Sequence, residues 1–249
     1  MKPLLTLYLK ELKEHRTFAA LSLVVTICIQ VVVFAKIDLP PGPGDMVLGF
    51  LAAISVGLPP LIAPFFLAHI YNAEWKGNTH YLTLSLPIPR WYIRLSKWGA
   101  VLSLSGFLYV IACGGLYILY LWIAGHLETK VYPIGFADFW VVAITWWVSI
   151  SLLTLGLITA MEGLRSAIKR FRTVLAGGFL GICLLTFARL MDPASEALRF
   201  VGAYRYEIIG PGGLISLREI ALSGHAFAAV YGLLMLALGL YLFNRFSEI

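Results

Sequence analysis

Six apolar runs, each about long enough to cross a bilayer, leave few folds open to this chain. They lie at Thr17–Ala35, Met46–Ile70, Trp98–Ala124, Phe139–Met161, Thr173–Met191 and His225–Phe243. A spanning helix needs about 20 mainly apolar residues. Backbone polar groups in hydrocarbon must be satisfied within the segment, so runs of this length predict helices. The expected fold class is an all-α integral membrane protein with about six transmembrane helices. Composition agrees: only 13% of the 249 residues are charged, 60% are hydrophobic and the mean hydropathy is +0.85. Soluble domains are about 25% charged, and a soluble fold of this size could not hide so much apolar surface.

The net charge of +6 collects in short clusters between the runs, a pattern that argues against a nucleic-acid-binding surface and fits a membrane protein. With the N-terminus inside, 13 of the 19 basic residues fall on inside segments, among them Lys10, Lys13, Arg90, Arg94, Lys97 and Lys169. The positive-inside rule then predicts both termini in the cytoplasm. The first run follows a charged segment of 16 residues and lacks a small-residue cleavage site, so it reads as a retained anchor. Within residues 1–16, Leu5, Tyr8, Leu9 and Leu12 share one helical face, while Lys10, Glu11, Lys13 and Glu14 lie largely on the other. That pattern predicts an amphipathic helix in the plane of the membrane surface.

Several chemistries are missing. There is no phosphate-binding G-x-x-x-x-G-K-[ST] loop and no H-E-x-x-H or G-x-S-x-G motif. Leu222-Ser223-Gly224-His225-Ala226 matches the start of an ABC ATPase signature, but it lacks the second glycine and reads as chance. Cys28, Cys113 and Cys183 all sit inside apolar runs, which predicts small packing residues rather than disulfides or metal ligands. No carboxylate is central in any span, which argues against a proton- or sodium-driven carrier. Gln30 reads as a helix-packing residue, and His69 and Asn72 as interfacial polar groups. Pro59, Pro60 and Pro64 predict a kink in the second span.

Two connections carry more information. Residues 192–224 interleave Asp192, Glu196, Glu207 and Glu219 with Arg199, Arg205 and Arg218, among apolar residues such as Phe200, Ile208 and Leu217. The tract Gly210-Pro211-Gly212-Gly213 breaks this segment, which predicts two short helices at the outer surface. Between the second and third spans, residues 71–97 hold Glu74, then Gly77 for a tight turn and Thr79 as a helix cap. A short apolar segment with Leu82, Leu84 and Leu86 follows, ended by Pro87. Arg90, Arg94 and Lys97 then flank the third span and are expected at headgroup level. A leucine-rich helix exposed to the cytosol suits docking onto another protein.

The pattern Glu74-x-x-Gly77-x-Thr79, Leu84-x-Leu86-Pro87, Arg90 and Lys97 resembles the hallmark of ABC type-2 transporter permeases, and the likeness extends over the full length. The resemblance implies one permease domain over residues 1–249: an elbow helix (1–16), a cytosolic coupling loop (71–97) and short outer re-entrant helices (192–224) before the last span. It implies an exporter subunit of the small bacterial type, in the cytoplasmic membrane, taking a hydrophobic, amphipathic or peptide-like cargo. The implied partners are ABC ATPase subunits, a second permease and membrane lipids. No cofactor is expected in this chain, since ATP and magnesium would sit on the ATPase. The implied partner-binding residues are Glu74, Gly77, Thr79, Leu82, Leu84, Leu86, Pro87, Arg90 and Lys97. The rival class, a membrane-embedded enzyme or scaffold, would need convergent catalytic groups within the spans, and none assemble from the sequence.

Overall fold

The computed structural model describes residues 2–36, 44–76, 90–126, 135–168, 171–209 and 215–246. Seven α-helices account for most of them: α1 (Lys2–Glu14), α2 (Arg16–Lys36), α3 (Gly44–Lys76), α4 (Arg90–His126), α5 (Phe136–Ala167), α6 (Arg172–Ala197) and α7 (Leu222–Phe246). The last six, α2–α7, are each long and apolar enough to cross a membrane. The chain is thus an all-α membrane protein with about six spans, six of them among the described residues.

The helix exteriors are apolar where lipid would meet them. On α6, Val174 is 73% exposed, and Ile182 and Leu185 are similarly bare, while Ala176 and Cys183 face the bundle. Without a hydrophobic force between helices in lipid, close fit and side-chain hydrogen bonds must join them. Both devices are present. Gln30 on α2 donates to the Ser55 hydroxyl on α3 and to the Ala112 carbonyl on α4, each at 3.1 Å, so it is the packing residue its position suggested. The three prolines of α3 strip donors from its backbone, and in that stretch the Ser105 hydroxyl of α4 donates to the Pro59 carbonyl at 3.0 Å. Phe66, Leu67 and Ile70 of α3 pack with Val101 of α4 and Leu155 of α5 in the main core cluster.

The closest pairing joins α5 and α7. Gly156 faces Gly232 and Gly163 faces Gly239, and a Cβ on any of the four would meet the opposite backbone at under 3.0 Å. Here glycine is needed for approach rather than for conformation. The residue numbers of facing partners differ by 76 at both contacts, and again where Ser149 meets His225 at 2.9 Å. The two helices therefore run parallel, in step, with a seven-residue repeat. A contact repeating every 3.5 residues keeps facing sides together only if the helices wind gently around each other, left-handed.

The segment after α6 departs from the expected pair of short helices. Beyond a single 3₁₀ turn (Arg199–Val201), Ala203–Ile209 (β1) and Ile215–Ala221 (β2) form an antiparallel hairpin. Alternation explains it: half-buried Tyr204 and Tyr206 alternate with exposed Ala203, Arg205 and Glu207, which is the period of a strand. The register sets Arg205 opposite Glu219, and their side chains pair at 3.4 Å. The other two strand charges face uncharged partners, Arg218 opposite Tyr206 and Glu207 opposite Leu217. Gly202, at φ 85°, adopts the left-handed backbone that leads into β1, and its carbonyl accepts from the Leu222 amide at 3.1 Å, closing the hairpin onto the start of α7. Tyr204 donates to Asp138 at the start of α5, at 2.5 Å.

Candidate functional site

The leucine-rich docking segment, with Gly77, Thr79, Leu82, Leu84, Leu86 and Pro87, lies outside the described residues. Its two flanks are described. Glu74 lies in the last turn of α3, and Arg90 is the first residue of α4. Lys97, two turns into α4, is placed differently from the headgroup position expected of it. It is 1% exposed, and its ammonium donates to Glu11 of α1 at 3.2 Å, with Glu11 itself 3% exposed. The reason is geometric: α1 packs against α4, so the side of α4 that carries Lys97 is covered by protein instead of lipid headgroups. Arg94 is buried too, with its guanidinium 3.5 Å from the centre of the Phe243 ring on α7 and 5.5 Å from that of Tyr71 on α3.

Helix α1 is amphipathic, but with a different division of faces from the one read in the sequence. Leu5 and Leu9 are more than half exposed. Tyr8 and Glu11 turn towards α4, and the Tyr8 hydroxyl donates to Ser103 at 3.0 Å. Glu11, grouped with the solvent face by simple periodicity, is the buried anchor. Lys10 and Glu14 form an exposed i,i+4 pair at 3.4 Å. The helix therefore presents three faces: leucines outward, charges to water, and Tyr8 with Glu11 to the bundle.

Around the Glu11–Lys97 pair the α1 end of the bundle is polar and crowded. His15 lies 3.8 Å from Glu11 and edge-on to His69, with ring centres 5.4 Å apart, while Phe18 stacks on both His69 and Phe66. On the α5 side, Arg165 donates to Asn72 of α3 at 2.7 Å and to Glu162 at 3.2 Å, and Glu162 is 4% exposed. The sequence hinted at His69 and Asn72 alone; Glu11, Arg94, Glu162 and Arg165 were not singled out as a cluster. The available signal was the clustering of ionisable residues at one end of four different spans. Together these groups bind α1, α3, α4, α5 and α7 at the base of the connection 77–89. A shift of that connection reaches the spans first through the end of α3 and the start of α4.

Burial pushes the His15 imidazole below its ordinary value near 6.5, against the opposing pull of Glu11. Glu14 on α1 also favours the charged form, whereas His69 on α3 and Lys97 on α4 oppose it. The folded state thus binds this proton less readily than the unfolded chain. The stability is full above pH 6.5 and falls as pH drops through that value towards the depressed one. The thermal midpoint in detergent should fall between pH 7.5 and pH 5.5, and His15→Gln should fall less. Equal pH slopes for the two proteins would remove His15 as the cause.

No family model, curated protein or solved structure matches this chain.

Proposed function

We propose that the chain is the membrane-spanning subunit of an ATP-driven ABC transporter, exporting a hydrophobic, amphipathic or peptide-like cargo, with ATP hydrolysed on a separate subunit. The observation that carries this reading is the connection between the second and third spans: Glu74, Gly77, Thr79, Leu84, Leu86, Pro87, Arg90 and Lys97 in the order that resembles the type-2 permeases. The surroundings support it. An amphipathic helix precedes the first of six spans, and its Glu11 grips Lys97 in the helix that the connection feeds.

In this reading both termini and the 71–97 segment face the cytoplasm, following the basic residues. Two ATPase subunits close on ATP, the segment around Leu82–Leu86 carries that motion into α3 and α4, and a path opens between this chain and a second permease. The work is done by the difference in nucleotide affinity between the two states. Arg90 and Glu74 orient the docking segment, and Lys97 acts by holding α4 to α1.

The test is Leu86→Asp. An unpaired charge placed in the contact should cost on the order of what truncating an interface hot spot costs, at least about 2 kcal/mol. The variant should insert and fold, yet lose co-purification with the ATPase and ATP-driven transport in nanodiscs together. Retention of both by Leu86→Asp would end the coupling assignment.

A further inference from the structure

At the opposite end of the bundle, by the hairpin, α5, α6 and α7 line an open cavity of about 690 Å³, within the range of roughly 300–1,000 Å³ typical of small-molecule sites. Its lining changes character with depth. Nearest the hairpin it is polar, with Asp192, Glu196, Arg199 and Ser223; one to two turns further in it is apolar, with Leu153, Phe187 and Ala228.

We propose that this cavity binds one zwitterionic phospholipid, its phosphate at the start of α7, its ammonium at Asp192 and an acyl chain on the apolar floor. This assignment goes beyond the transport reading and stands without it. Three features carry it. Ser223 is 6% exposed, lines the cavity, and its hydroxyl makes no hydrogen bond among the described residues. It belongs to the first turn of α7, where the helix dipole and the amides after Leu222, whose own amide is taken by Gly202, favour an anion. The carboxylate of Asp192 has no ion-pair partner among the described residues, whereas Glu196 and Arg199 pair with each other at 3.7 Å. That leaves one uncompensated negative group beside one anion-favouring helix start, the charge pattern of a headgroup carrying both signs. His225 adds an adjustable group: its Nδ1 is engaged with the Ser149 oxygen at 2.9 Å, so whichever tautomer it holds, its Nε2 complements it as donor or acceptor.

The probes are phosphatidylethanolamine and phosphatidylglycerol carrying a diazirine in the acyl chain, irradiated with the full-length protein in nanodiscs and mapped by peptide mass. Phosphatidylethanolamine should label the peptides around Leu153, Phe187 and Ala228 in preference to phosphatidylglycerol. Leu153→Trp, which adds bulk at a half-buried position of the cavity floor, should cut that labelling about tenfold and leave labelling at the lipid-facing positions Val174 and Ile182 unchanged. Asp192→Asn changes an exposed side chain and leaves folding intact. It should abolish the headgroup preference by about tenfold, the strength of a lost charge-assisted bond. Labelling spread evenly over the lipid-facing helices would show surrounding bilayer only and overturn the site. Equal labelling by both lipids, or a preference indifferent to Asp192→Asn, would overturn the headgroup assignment.

Discussion

Alanine at Gly156 or Gly232 should destabilise the protein by about 3 kcal/mol, the upper part of the range for overpacking, and leucine should prevent the α5–α7 pairing altogether. Each added Cβ meets opposing backbone, which cannot swing aside as a side chain can. Controls lie on the next helix: Gly177 and Gly178 of α6 have nothing within 4 Å of an added Cβ. Alanine there should change stability by less than about 1 kcal/mol, in the stabilising direction, because glycine is the poorer helix former. Unfolding in mixed micelles by titrated dodecyl sulfate measures all four. Gly156→Ala and Gly177→Ala behaving alike would mean that the two helices are not in backbone contact.

The second large effect belongs to the Glu11–Lys97 pair. Removing one partner takes the nearest counter-charge from a side chain that water cannot reach, at a cost of about 3–5 kcal/mol. Lys97→Met should therefore be severely destabilised, and Glu11→Gln should follow in the same direction. The double variant Glu11→Leu/Lys97→Met should recover most of the loss, since a buried ion pair is often replaceable by apolar residues of similar volume. In the single variants α1 should also become sensitive to protease ahead of the spans. Single-variant losses below about 1 kcal/mol would mark a solvated surface pair instead and contradict the packing of α1 on α4.

The six spans were legible because each is a local property, an apolar run of sufficient length. Gln30 was legible for a similar reason: a lone amide in an apolar run has few fates besides tying helices together. Lys97 was not. Read locally it is one more basic residue beside a span, and its partner lies 86 positions away in the sequence. Glu11 was misassigned for the same reason, because periodicity separates polar from apolar and cannot separate a charge facing water from a charge facing a buried partner. The hairpin failed differently. Its interleaved charges and apolar residues suggest short helices, whereas Tyr204-Arg205-Tyr206-Glu207 carries the two-residue alternation that identifies a strand. The glycine seam was written in the sequence as two equal spacings, Gly156 to Gly163 and Gly232 to Gly239, but nothing local says that those two helices are neighbours.

That seam limits how the protein can change shape. Helices joined through side chains can slide or tilt by exchanging rotamers, whereas α5 and α7 meet main chain to main chain, with no rotamers to exchange. They behave as one strut, with α6 returning between them along the chain. Any rearrangement of the bundle falls to the softer joints: the Gln30 amide that links α2, α3 and α4, and the aromatic and aliphatic layer around Phe66. Spin labels on the lipid-facing positions Ile144 of α5 and Leu234 of α7 should keep a single separation in every functional state, while a pair spanning α2 and α5 registers the motion. Labels on the strut that drift apart during turnover would show that the close-packed pair is itself the hinge.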